Sequence, residues 1–391
     1  MTRTYGELNP PTRLLLGPGP SNVDPRVMRA MTAPIVGHLD PAFLEIMEES
    51  KELLKYAFMT ENYLTLPVSG TGTAGMEAAM YNVVEPGDKV LVCVNGYFGV
   101  RMCDMAQRCG GELIRLDTEW GHAVDPAQVE QALKTGEVKV VFVVHAETST
   151  GVLQPLVEIS RLAHEHGALL MVDTVTSLGG CPVKVDEWEL DVVYSGTQKC
   201  VGCPPGLAPI TFSPRAEKVL DARKTRIQSF YLDMTLVRKY WGQERFYHHT
   251  APISMCYALR EALRLLYEEG LEARWERHAL NSRALMAGLQ AMGLEPVAQE
   301  GYRLPQLNAV RVPEGIGDGK VRGRLLEEYS IEIGGGLGVL KGQIWRIGLM
   351  GYNSTARTVY VFLSALESVL QAEGFSLTAG EAMAAAREVY G

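Results

Sequence analysis

The chain has 391 residues, 47% of them hydrophobic, and a formal charge of −9. That length suffices for a large core and points to two domains. The acidic balance and the lack of any long basic run exclude a nucleic-acid partner for want of a cationic face. No apolar stretch approaches the ~18 residues that cross a membrane.

The opening MTRTYGELNPP has no signal-peptide core, and the closing EVYG carries no anchor or address. Seven cysteines lie scattered between Cys93 and Cys256. Their odd number and wide spacing predict reduced thiols in a cytoplasmic protein. Cys200 and Cys203 form a C-x-x-C, but no second pair follows, so no metal site is expected.

In chain order, residues 1–14 read as a polar arm with a Pro-Pro break. From residue 60 to 213, apolar runs alternate with helical patterns. The runs fall at 63–69, 89–94, 112–117, 138–145, 169–173, 191–196 and 207–213. Several are apolar on both faces, which predicts a mostly parallel α/β sheet covered by helices on each side. A long amphipathic helical run begins at residue 253 and breaks near Gly270. Strands at 305–313 and 343–351, a helix at 356–373 and a short helix in the tail 376–391 follow. The expected division is a large domain at 15–269 and a smaller α+β domain at 270–391.

Gly70, Gly72 and Gly75 in 69-SGTGTAGMEAA-79 spell G-x-G-x-x-G between a strand and a helix. A dinucleotide site also needs an acid at the end of the second strand. That strand ends in Val94 and Asn95, which argues against a dehydrogenase. The turn either binds a single phosphate, through free N–H groups and the hydroxyls of Thr71 and Thr73, or is a tight turn without a ligand.

Two further features bear on that choice. The strand 169-LLMVD-173 ends in Asp173, which either meets a cationic ligand at the sheet's carboxyl edge or caps a turn. The segment 191-DVVYSGTQK-199 brings Gln198 and Lys199 to a strand end, where the lysine is either a desolvated nucleophile or a solvated loop residue. Phe98 is either ordinary core or a face for a planar ligand. Pyridoxal 5'-phosphate asks for a phosphate nest, an acid and a lysine together.

These pieces, with LLGPGPSNV, HAETSTGVLQP, VDTVTSLGG, FYLDM, YHHT and RIGLMG, carry a wider likeness. Over roughly residues 12–370 the chain resembles the class V aminotransferases of fold type I, in particular the alanine/serine–glyoxylate (serine–pyruvate) enzymes. The resemblance implies a pyridoxal-phosphate enzyme that moves the amino group of serine or alanine to glyoxylate or pyruvate. It implies Lys199 as the lysine that takes the cofactor's aldehyde and Asp173 as the partner of its ring nitrogen. Val175 and Phe98 would pack on the ring, and Thr148 would bond its ring oxygen. Thr71, Gly72, Thr73 and Gln198 would hold the phosphate or the cofactor's edge. Tyr247 and Thr250 would reach the phosphate of the neighbouring subunit in a homodimer. Arg346, with the backbone at Gly19, would clamp the substrate carboxylate.

The chain departs from the alanine–glyoxylate pattern at Phe98, where those enzymes carry Trp, and at Thr71 and Thr73, where they carry Ser and His. A ureidoglycine–glyoxylate aminotransferase is the nearer alternative, although that branch has Gln where His38 sits. A cysteine desulfurase is more remote, because no cysteine follows Cys256. No second cation is evident for a distal carboxylate or a substrate phosphate. His164 and His166 read as helix-end residues, and His248 and His249 as supports for the subunit-spanning segment.

Overall fold

The computed structural model describes residues 5–391. Seven strands form its central sheet: β1 (Leu64–Ser69), β2 (Lys89–Val94), β3 (Glu112–Asp117), β4 (Val140–Val144), β5 (Leu169–Asp173), β6 (Val192–Tyr194) and β7 (Leu207–Phe212). Their spatial order is β1-β7-β6-β5-β4-β2-β3. Strands β6, β5, β4, β2 and β3 run parallel. Strand β7 is antiparallel to both of its neighbours, β6 and β1. Every residue of β1, β4, β5, β6 and β7 is buried, which explains their unbroken apolar runs. Strand β3 forms one edge, carries Glu112, Arg115 and Asp117, and has no buried residue.

This topology settles what the glycine turn is not. The strand before it, β1, lies at the opposite edge and is paired only to an antiparallel neighbour. A dinucleotide fold places that strand inside a parallel βαβ unit. The carboxyl ends of the parallel strands instead gather Val94, Val144, Asp173 and Tyr194 at one edge. Asp173 and Tyr194 are directly in register.

The buried apolar residues form two main clusters. The larger draws on residues from Val27 to Leu271. The second contains Trp345, Ile347, Phe362 and Leu363, and lies around the antiparallel strands Leu307–Arg311, Ile344–Gly348 and Gly334–Gly335. The helices Ile253–Glu269 and Leu271–Ala291 meet at Gly270. Leu14–Leu15 pairs with Ile331–Glu332, and Leu16 belongs to the second cluster. Leu14–Leu16 therefore belong with the smaller unit, ahead of the residues of the larger one. The tail forms a helix, Glu381–Tyr390, whose Ala382 and Ala386 complete the second core.

His164 and His166 sit at the end of the Val157–Glu165 helix. His164 Nε2 bonds Asp191 Oδ2 at 2.8 Å, and His166 Nδ1 donates to the Leu162 carbonyl at 3.0 Å. No helix among the described residues is long and apolar enough to cross a membrane.

Candidate active site

A cavity of about 300 Å³ opens at the carboxyl edge of the sheet. Nine of the thirteen expected residues line it: Gly19, Gly72, Thr73, Phe98, Thr148, Asp173, Val175, Gln198 and Lys199. Thr71, Arg346, Tyr247 and Thr250 do not.

Lys199 follows β6 on a loop pinned by Ser195 Oγ to the Thr174 carbonyl (3.0 Å) and by Thr197 Oγ1 to the Pro204 carbonyl (2.7 Å). Its side chain is buried, and Nζ donates to the Pro18 carbonyl. Gly19 makes room for it. A Cβ there would stand 2.9 Å from Nζ, and the backbone has φ +112°, which favours glycine. Burial lowers the lysine pKa to about 8, against the pull of the Asp173 carboxylate.

Asp173 ends β5 and is buried. Its Oδ2 accepts from Tyr194 Oη at 2.7 Å and its Oδ1 from the Val175 N–H at 2.8 Å. Burial pushes its carboxyl above the usual range, and those two donors and Lys199 work in the opposite direction. Tyr194 escaped the sequence reading because a tyrosine ending an apolar strand looks like core. Its register opposite Asp173 is the signal that could have found it.

The helix Gly72–Val83 starts at Thr71, whose side chain makes no capping bond. Its first N–H groups therefore stay open to an anion. Thr73 Oγ1 accepts from Arg101 Nη1 at 3.4 Å. Arg101 also lines the cavity, with its guanidinium carbon 5.0 Å from the Phe98 ring centroid. Its cation was not anticipated. Gln198 Oε1 is buried without a hydrogen-bond partner. An orphaned polar atom beside a cavity that holds an amine, a carboxylate and an open helix end suits a polar, phosphorylated ligand.

Arg346 is not among the residues that line the cavity. It is buried, its Nε donates to the Gly335 carbonyl (2.7 Å) and its Nη1 to the Thr148 carbonyl (3.1 Å). Its Nη2 makes no hydrogen bond to the described residues. Burial lowers its pKa to about 10, so it stays charged at neutral pH. Glu147, fully buried and also missed from sequence, accepts from the Phe98 N–H, and its charge favours the cationic form of Arg346.

Tyr247 and Thr250 stand outside, both exposed, with their hydroxyls 3.3 Å apart. The histidines between them tie the segment inward. His249 Nε2 bonds Ser69 Oγ at 2.7 Å, and His248 Nε2 donates to the Phe230 carbonyl at 3.0 Å.

Residues 14–359 match the family described as Aminotransferase class-V. The chain belongs to the class V aminotransferases. This aminotransferase is 42% identical over 402 residues to the (S)-ureidoglycine–glyoxylate transaminase of Bacillus subtilis (strain 168), covering 98% of this chain and 97% of that one. It is 42% identical to the alanine–glyoxylate aminotransferase of Mus musculus over 93% of this chain and 89% of that one. The crystal structure of alanine–glyoxylate aminotransferase from Nostoc sp. superposes with a TM-score of 0.93 at 51% identity, covering 94% of this chain and 98% of that one. All seven cysteines of this aminotransferase are buried, and none lines the cavity.

Proposed function

We propose that this aminotransferase uses pyridoxal 5'-phosphate to move the amino group of serine or alanine to glyoxylate or pyruvate. The observation that carries the reading is the Lys199 amine and the Asp173 carboxylate facing one cavity beside an open helix N-terminus. The Nostoc and Mus musculus relatives, both alanine–glyoxylate aminotransferases by name, support the substrate class.

When bound, the cofactor supplies an aldehyde that carries the amino group and a ring that accepts electrons. Thr71, Gly72, Thr73 and Gln198 bind its phosphate end, and Thr148 its ring oxygen. Phe98 and Val175 pack on the ring. Asp173, held by Tyr194 and the Val175 N–H, keeps a proton on the ring nitrogen. Arg346 orients the donor by its carboxylate, through the nitrogen its backbone partners leave free. Lys199 Nζ takes the donor's α-proton as general base and returns a proton later in the transfer. Tyr247 and Thr250 serve the site of a second copy in a homodimer. Seven unpaired, buried cysteines support a cytoplasmic setting. The two apolar clusters and the helix break at Gly270 support a boundary near residue 270, except that Leu14–Leu16 go with the smaller unit and not with 15–269.

A second reading has a specific observation behind it, the Bacillus subtilis relative that matches 98% of the chain. In that reading the donor is (S)-ureidoglycine. His38 leans the other way; its carbonyl accepts from Tyr240 Oη at 3.0 Å and its ring lies 5.0 Å from that of Tyr247.

One titration tests both readings. The protein loaded with pyridoxal phosphate should show a visible absorption band. Serine or alanine should bleach it and glyoxylate restore it. Bleaching by (S)-ureidoglycine alone would move the assignment to the second reading. No visible band in the wild type, or full turnover by Lys199→Ala, would overturn the cofactor assignment.

A further inference from the structure

Glu147 occupies a costly position. Its side chain is fully buried, where an unmet carboxylate is expensive. Three donors meet it. Oε1 accepts from the Ser149 N–H (2.9 Å) and Ser149 Oγ (2.6 Å), and Oε2 accepts from the Phe98 N–H (3.2 Å). Donors face both oxygens, and their bonds favour the carboxylate form. Burial pushes its pKa up, and these same bonds oppose the shift.

The bond to Phe98 is a helix cap delivered from 49 residues away in sequence. The helix Tyr97–Arg108 begins at Gly96, which has no side chain to cap it. Its first two N–H groups go to remote partners, Tyr97 to Ser149 Oγ at 2.9 Å and Phe98 to Glu147. A Cβ on Gly96 would stand 2.6 Å from Glu147 Oε2 and would expel the carboxylate. A serine or aspartate at position 96 would cap the helix more cheaply if capping were the whole purpose. The arrangement chosen links the helix to the rest of the site. Thr148, the next residue, turns its carbonyl to Arg346 Nη1 and lines the cavity. Arg346 has no ion pair among the described residues, and the charge of Glu147 is the nearby counterweight that favours its cationic form.

We propose that Glu147 is a positioning residue that holds the Phe98 ring in place over the cofactor and, through Thr148, holds Arg346 beside it. The proposal rests on the cofactor assignment above. It assigns a role to the negative charge. An isosteric amide would turn an NH₂ either toward the Phe98 N–H or toward the two donors of Ser149, so one contact must open.

The test is a double-mutant cycle on pyridoxal-phosphate affinity, with the visible circular dichroism of the bound cofactor read alongside. Glu147→Gln should weaken binding about tenfold and reduce the visible dichroism. Phe98→Ala should also weaken binding in the wild type, but change it less than about twofold in the Glu147→Gln background, because the ring is already unfixed there. A merely structural carboxylate would lower the unfolding temperature and leave the two effects independent. Equal weakening by Phe98→Ala in both backgrounds would overturn the proposal. If Glu147→Gln does not fold, Ser149→Ala runs the same cycle with the same two outcomes, because it removes one donor from Glu147 and the acceptor of Tyr97. Failure of the wild type to bind the cofactor is a separate result, which removes the cofactor assignment and this proposal with it.

Discussion

Lys199 shows most clearly how burial becomes chemistry. Its pKa of about 8 arises because the low-dielectric pocket disfavours the ammonium. Only the neutral amine is nucleophilic. Capture of pyridoxal phosphate by the ligand-free protein should therefore speed up about tenfold per pH unit below 8 and level off above it. Stopped-flow absorbance measures this, and a rate still climbing at pH 10 would mean an ordinary solvated lysine. Tyr194 supports a second expectation. Tyr194→Phe takes the donor from Asp173 Oδ2 and leaves a buried carboxylate oxygen unmet. The ligand-free protein should lose about 1–3 kcal/mol in urea unfolding. Asp173 should also become harder to ionise, since the bond to Tyr194 lowers its pKa. The place of Asp173 and Lys199 at the cavity was legible in the sequence, because an acid ends one buried apolar strand and a lysine closes the short loop after the next. Tyr194, Glu147 and Arg101 were not, since each looks ordinary until strand register or a distant helix end brings it to the cavity.

At the scale of elements, hydrophobic periodicity located every strand of the main sheet, and tertiary pairing trimmed the ends. The run 191–196 keeps only Val192–Tyr194: Ser195 N–H still donates to the Pro209 carbonyl of β7 (2.7 Å), but Pro209 has no N–H to return the bond and the regular ladder stops there. The two-residue pairing of Leu14–Leu15 with Ile331–Glu332 could not be read, because its partners lie over 300 residues apart and neither carries a strand pattern. The tail was legible as a helix but not as part of a core. Its docking depends on Gly288, where a Cβ would come 3.0 Å from the Ala382 carbonyl and 2.8 Å from Leu363 Cδ2. Gly288→Val should force the tail helix away and cost about 1–3 kcal/mol by overpacking. A lower thermal midpoint with an unchanged cofactor spectrum is the expected result. An unchanged midpoint would show that the second core is looser than the close approach implies.

At the scale of the whole molecule, one chain leaves two of the residues expected at the phosphate on its own surface. Tyr247 is 55% exposed, Phe246 before it 52%, and Phe230, whose ring stacks on His248, 66%. Aromatic side chains gathered in this way suit a covering partner. The histidine pair anchors the same segment to Ser69, next to the glycine turn, so the outward residues are held in place without entering their own cavity. A symmetric dimer would let each copy complete the other's site. Hybrid dimers test this directly. If Tyr247 acts in trans, a dimer of one Lys199→Ala chain and one Tyr247→Ala chain has both defects in one site and neither in the other. Equal mixing with subunit exchange makes half of the dimers hybrid, so about a quarter of all sites should regain wild-type cofactor affinity and turnover. If Tyr247 acted within its own chain, every site would carry one defect and mixing would restore nothing. The titration of the mixture against pyridoxal phosphate, compared with each parent alone, separates the two arrangements without requiring either variant to be active.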